Sequence, residues 1–223
     1  MPREVRIPGT RIYFSRFVFL LISILLFLVV RPFLENRVNL SILINLFFTI
    51  ILISGLYAVS ERKKRFYWIV ALAALAFICS WTGDLLQSKT VELIGETFGF
   101  LFFFFTVAAI LAYLFREKEV TADVIIGSVC GYFLLGLMWA FIYPLLEAAH
   151  PGSFVHGSES LTAASDFTYF SFVTLTTLGY GDMVPITNQA KSLAIVEAAM
   201  GQLYVAILIA RLMGIYIARS YRK

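Results

Sequence analysis

Apolar residues in this chain fall in long runs, and the charges gather in the short stretches between them. Phe17 to Val30 is the first run, preceded by the basic stretch Met1 to Arg16 and extendable inward through Ile12, Tyr13 and Phe14. Val29-Val30-Arg31-Pro32 offers no small-residue cleavage site, so the run reads as a retained span and not a signal peptide. The second run, Leu40 to Val59, ends at Glu61-Arg-Lys-Lys-Arg65. The third, Phe66 to Trp81, is short unless Tyr67, Trp68 and Trp81 sit in the interfacial belts. Asp84, Lys89 and Glu92 mark the next loop; the fourth run, Leu93 to Phe115, is closed by Arg116-Glu-Lys-Glu119. The fifth, Thr121 to Leu146, carries one charge, Asp123, and a Gly127/Gly131 pair at the spacing that lets a neighbouring backbone approach closely. A polar loop, Glu147 to Ala164, leads to a shorter apolar segment, and the sixth run covers about Ala190 to Ile217.

Composition agrees with six crossings. Of the 223 residues 60% are hydrophobic and 14% charged, and mean hydropathy is +0.86; a soluble domain is about 45–50% apolar. The net charge of +4 would suit a nucleic-acid partner, but its distribution says otherwise. With the N-terminus inside, the inner face receives Arg3, Arg6, Arg11 and Arg16, the four from Arg62 to Arg65, Arg116 and Lys118, and Arg211, Arg219, Arg222 and Lys223. Only Arg31, Arg37, Lys89 and Lys191 fall outside, so the excess of basic residues predicts a multi-pass protein of the cell membrane with both termini cytoplasmic and no nucleic-acid partner. Cys79 and Cys130 lie inside apolar runs and read as small hydrophobes, and His150 and His156 as exposed loop residues. Glu92 and Glu96, four apart on one helical face, with Asp84 nearby, read as interfacial carboxylates; an external cation site or proton sensor is the sharper alternative.

The stretch Thr174-Leu-Thr-Thr-Leu-Gly-Tyr-Gly-Asp182 carries the chemistry. The 12 residues Asp166 to Thr177, as a helix with Ser165 or Asp166 as N-cap, cover about 18 Å at ~1.5 Å per residue. That is roughly half of a ~30 Å hydrocarbon core. Thr177 to Gly181, extended, return about 16 Å at ~3.3 Å per residue. Irregular backbone at that depth is tolerated only inside protein or along a water-filled cavity, and glycine accepts the backbone angles that turn successive carbonyls inward.

The pattern T-x-x-T-x-G-Y-G-D between two apolar spans resembles the pore signature of tetrameric potassium channels. The whole chain resembles the six-transmembrane, one-pore-loop branch of that family. The resemblance implies an all-α membrane protein with a re-entrant pore helix and filter between the fifth and sixth helices, assembling as a homotetramer in the lipid bilayer. It divides the chain into a four-helix domain, 1–119, and a pore domain, 120–223. The voltage-gated branch carries regularly spaced arginines on its fourth span, and here none precedes Arg116. The expected function is therefore passive K+ conduction without intrinsic voltage gating, and no enzyme activity; Ser158, Ser160 and His156 lack an orienting acid at a convincing spacing. A non-conducting regulatory or sensor protein that keeps the channel fold is the alternative. The compact chain without appended domains is of a prokaryotic kind, and a lipid or cation modulator is a candidate partner.

By the same resemblance, the carbonyls of Thr177, Leu178, Gly179 and Tyr180, with the Thr177 hydroxyl, form the K+ sites, while Gly181 and Asp182 close the outer mouth. Tyr169 and Phe170 stand where known channels often hold a tryptophan pair. Val173 replaces a carboxylic acid found in some relatives, so Asp182 must find another donor. Thr174 and Glu197 support the filter; Glu197 either bonds the pore-helix end near Thr174 or stays protonated. Gly201 matches the hinge glycine, with close packing as the plain alternative. Gln202, Val205 and Ile209 would line the cavity, and Ile217 would lie near an inner constriction. Arg211, about 15 Å along the helix from Gly201 at ~1.5 Å per residue, is expected to pair with Glu117, Glu119 or Asp123, or else with lipid.

Overall fold

The computed structural model describes residues 16–34, 40–59, 63–156, 159–160 and 164–220. Arg3, Arg6, Arg11, Arg37, Arg62, Ser158, Arg222 and Lys223 lie outside the described residues, as does the Asp84 side chain. The chain is mostly helical: α1 (Arg16–Leu34), α2 (Leu40–Val59), α3 (Lys63–Leu86), α4 (Lys89–Leu114), α5 (Ala122–Ala149), α6 (Ala164–Leu175) and α7 (Asn188–Ser220). Three stretches among the described residues are long and apolar enough to cross a membrane: Lys89–Leu114, Ala122–Ala149 and Asn188–Ile215. Phe17–Val30, Asn45–Tyr57 and Tyr67–Gly83 are shorter apolar helical stretches.

Helix ends depart from the apolar runs in a consistent direction. Asp84, Lys89 and Glu92, expected in a loop, are helical, and the turn between α3 and α4 shrinks to Gln87 and Ser88. A helix satisfies its own backbone polar groups, so it continues past its apolar stretch toward the interface. At the start of α5, the Thr121 hydroxyl caps the helix by accepting from the Val124 N–H at 3.3 Å. Pro144 sits inside α5 and removes one intrahelical donor near its C-terminal end.

The all-α expectation fails in one place. β1 (Phe154–His156), β2 (Glu159–Ser160) and β3 (Met183–Pro185) form an antiparallel sheet in the order β2-β1-β3. Strands this short carry too few residues for a readable alternation. Phe154 pairs with Pro185 and His156 with Met183, so the loop before α6 is stitched to the chain that follows Thr177 to Gly181. The Glu147 carboxylate anchors the turn into β1 by accepting from the backbone N–H of Gly152 (2.6 Å), Ser153 (2.9 Å) and Phe154 (3.2 Å).

α4 packs between α3 and α5, and α1 lies against α2 and α5. The buried stripe of α4 is Gly95, Gly99, Phe102, Phe103, Thr106, Val107, Ile110 and Leu114, the spacing of one helical face. Ser23 and Ser54 join α1 to α2 at 2.9 Å, and the Ser80 hydroxyl meets Asn45 between α3 and α2. The Cys130 thiol donates to the Phe17 carbonyl at 3.3 Å, so it ties α5 to α1. Gly127 and Gly131 do not admit a neighbouring backbone, as their spacing had suggested. A side chain at Gly127 would meet the Phe17 ring, and one at Gly131 would run into the Tyr204 hydroxyl. Gly99 opposite Phe141 and Gly136 opposite Phe172 repeat the device, a missing Cβ that seats an aromatic ring.

This device makes a stability prediction. A Cβ at Gly99 would lie 2.6 Å or less from two Phe141 ring carbons. Overpacking costs about 1–3 kcal/mol, against alanine's helical gain of about 1 kcal/mol. Gly99→Ala should lower the thermal midpoint of the purified protein, while Gly214→Ala, with nothing within 4 Å, should not. Equal midpoints for the two variants would contradict the socket.

Candidate ion pathway

α6 is 12 residues long, as the sequence suggests, but it is placed two residues earlier, at Ala164–Leu175. Neither Ser165 nor Asp166 is the N-cap. Asp166 lies in the first turn, where an acid favours the positive end of the helix dipole. At the other end the helix closes in a defined way. The Leu178 N–H donates to the Val173 carbonyl (2.9 Å) and the Thr177 N–H to the Thr174 carbonyl (2.9 Å). These two bonds make a Schellman ending, whose left-handed residue is usually glycine. Here that residue is Thr177, at φ 58°. A β-branched residue in this region is a true outlier.

Beyond it, Gly179 (φ 56°) and Gly181 (φ 79°) are also left-handed. An ordinary strand points successive carbonyls to opposite sides. Moving every second residue into the mirror region brings them toward one side and prevents a regular ladder. Thr177 to Gly181 is accordingly irregular and not the extended strand expected; β3 begins only at Met183. The Leu178 and Tyr180 side chains are exposed in the single chain.

The surroundings hold this segment from several directions. The Tyr169 hydroxyl donates to Asp182 Oδ2 at 2.8 Å, and the Met183 N–H donates to Oδ1 at 3.0 Å. Tyr169 is thus the donor that Asp182 needed in place of the missing acid at Val173. Phe170 points the other way, into a buried cluster with Tyr143 (5.0 Å between ring centroids) and Phe154 (5.2 Å). From α7, Gln202 Nε2 donates to Thr177 Oγ1 at 3.2 Å. From α5, the Tyr132 hydroxyl donates to the Leu175 carbonyl at 3.3 Å.

Gly201 is buried, and a Cβ built there would overlap the same Leu175 carbonyl. α7 is helical on both sides of it, so close approach to the end of α6 accounts for this glycine without a bend. Glu197 is fully buried and bonded to Ser171 (2.6 Å) and to the Tyr143 hydroxyl, one helical turn away from the expected Thr174. Val205, Ile209 and Ile217 are exposed in the single chain. Ser171, Tyr132 and Tyr143 were missed from sequence; each is a hydroxyl-bearing residue inside an apolar helix, which is the signal that marks them.

Arg211 does reach the connector between α4 and α5, but not its acids. Its Nη2 donates to the Leu114 (2.7 Å) and Glu117 (2.9 Å) carbonyls, and its guanidinium lies 4.8 Å from the Phe115 ring centroid. The expected pairing with the carboxylates of Glu117, Glu119 or Asp123 is replaced by capping of the α4 C-terminus, where the helix dipole favours a cation. Beside it, an apolar crevice of about 310 Å³ opens between α4, α5 and α7, lined in part by Phe104, Leu111, Met138, Leu203 and Ile207. On α4, Glu92 is exposed and Glu96 partly buried; no group of three metal-ligating side chains occurs among the described residues.

The Asp182 tether has a pH consequence. The Tyr169 hydroxyl, helped by the Met183 N–H and by His156, holds the Asp182 carboxyl below its ordinary value. A depressed carboxyl pKa makes the tether complete above the ordinary carboxylate range and weakens it as pH falls through the lowered value. In Tyr169→Phe the Asp182 titration, followed by carboxyl-carbon NMR, should move up. An unmoved titration would contradict the bond.

Comparison with known proteins points to the same region. Residues 123–218, from α5 through α7, match the family model described as "Ion channel". A stretch of 77 residues is 36% identical to "Two pore potassium channel c" of Oryza sativa subsp. japonica, covering 34% of this chain and 17% of that one. The chain therefore spans about a sixth of that relative's length. The part of this membrane protein that holds α5, α6 and α7 is the part that matches the ion-channel family model.

Proposed function

We propose that the protein is a potassium-selective channel in which four copies bring Thr177, Leu178, Gly179 and Tyr180 around one axis. Their carbonyls, with the Thr177 hydroxyl, replace the hydration shell of K+, which is the transported substrate and not a resident cofactor. The observation that carries the reading is the left-handed Thr177. Glycine would sit there without strain, so a threonine suggests that its hydroxyl is needed. The left-handed glycines two and four residues later continue the same alternation.

Exposure supports assembly. The most apolar window of α7 is only 11% buried in the single chain, and the filter side chains are open. A face this apolar needs lipid or other copies of the chain to cover it. In the proposed assembly the six long helices all cross the bilayer, both termini are cytoplasmic, and the domains divide at residues 119 and 120. The segment Leu93 to Phe115 has no basic residue, so the fourth helix lacks the row of positive charges with which a sensor helix follows the membrane potential. Ile217 is proposed as the narrowing point of α7, with Gly201 as the point where α7 stays packed on the end of α6.

Under bi-ionic conditions in planar bilayers, the purified protein should show a reversal potential set by K+ over Na+. Open probability should be nearly flat with voltage. Gly179→Ala, which places a Cβ at φ 56°, should abolish flux in a protein that still runs as a tetramer. Equal K+ and Na+ permeability in the intact protein would overturn the reading.

A further inference from the structure

Glu197 lies on α7 where α5, α6 and α7 meet, and none of its surface is exposed. Its carboxyl takes part in a chain of three contacts between oxygen atoms. Oε1 is 2.6 Å from Ser171 Oγ, Oε2 meets the Tyr143 hydroxyl, and Ser171 Oγ is 2.7 Å from the Gly136 carbonyl oxygen. At such separations a hydrogen lies between each pair of oxygens.

The hydrogens can be counted. The Gly136 carbonyl has none to give, and Ser171 and Tyr143 carry one each. Two hydrogens do not fill three contacts. With Glu197 ionised, Ser171 must turn its hydrogen either to Gly136 or to Glu197, leaving two bare oxygens face to face. A hydrogen on Oε2 does not help, because the contact it fills is one that Tyr143 already fills. A hydrogen on Oε1 closes the count. Glu197 then donates to Ser171, Ser171 to Gly136, and Tyr143 to Glu197.

The charge environment agrees. The titratable groups facing the carboxyl are Tyr143 and Tyr132 of α5, and α6 contributes the Ser171 hydroxyl. Among the described residues no lysine, arginine or histidine is bonded to it. A buried carboxylate without a cation is strongly disfavoured relative to its neutral form.

We propose that Glu197 is a neutral carboxylic acid that donates to Ser171 and so fastens the pore helix between α5 and α7. It is a positioning residue for the filter segment. Glu197 meets Ser171, and Gly201 abuts Leu175, four residues further along both helices. The acid and the glycine therefore set the same docking one turn apart, and the second contact lies two residues before Thr177. The role in positioning a filter rests on the channel reading, whereas the protonation state does not.

Infrared difference spectra of the intact protein in lipid bilayers at neutral pH test this directly. Wild type minus Glu197→Gln should show the C=O band of a protonated carboxyl. In Ser171→Ala, where the acid loses its acceptor, that band should move to higher frequency. Glu197→Gln, whose amide donates to Ser171 and accepts from Tyr143, should keep the thermal midpoint that Glu197→Ala loses. A difference spectrum with only ionised-carboxylate bands would overturn the proposal, as would a carboxyl band unmoved in Ser171→Ala. The band found in a protein that carries no K+ would overturn the channel reading and leave the acid as assigned.

Discussion

A carbonyl oxygen aimed at an ion path has no hydrogen-bonded partner of its own, so the chain around it must hold it in place. In the channel proposed above that constraint falls on the five residues from Thr177 to Gly181, with left-handed φ at Thr177, Gly179 and Gly181. Each neighbouring element holds one part of the region. The Schellman ending of α6 sets the angle at which the chain leaves the helix. Tyr132 and Gly201 fix the Leu175 carbonyl, Gln202 holds the Thr177 hydroxyl, and Tyr169 holds Asp182. The β1–β3 pairing then closes the loop on the far side.

The first four helices are built differently. Their contacts are rings set against glycines and a few hydroxyl bonds, with α4 as the element shared between α3 and α5. Their polar link to α7 is Arg211, whose guanidinium binds the end of α4 through two carbonyls while resting on Phe115. A cation at a helix C-terminus is favoured by the dipole and by the unmade carbonyl bonds there. Movement of the C-terminal half of α7 therefore has to displace or carry with it the end of α4.

Much of this was legible in the sequence, and the failures have physical causes. Apolar runs locate the helices because a membrane helix needs little beyond an apolar surface, but the polar ends of α3 and α4 stay helical, so the boundaries move outward. Gly179 and Gly181 announce their backbone angles through residue type. Thr177 conceals its own, because local preference argues against a left-handed threonine; such conflicts between local preference and structure gather at functional sites. The partners of Arg211 are main-chain atoms, which residue letters do not reveal, so the nearby acids looked like the better choice. Glu197 was recognised as a buried acid, yet its partner lay one turn away, because the packing of α7 on α6 is set by Gly201 against Leu175. The small sheet gave no periodic signal.

The central claim is that four chains place these carbonyls around a shared axis and that K+ sits among them. Anomalous diffraction from crystals of the assembled protein grown with rubidium or thallium measures this most directly. The account predicts a row of peaks on a four-fold axis, level with the carbonyls of Thr177, Leu178, Gly179 and Tyr180. An assembly without a four-fold axis through this segment, or heavy-ion density only elsewhere, would contradict it.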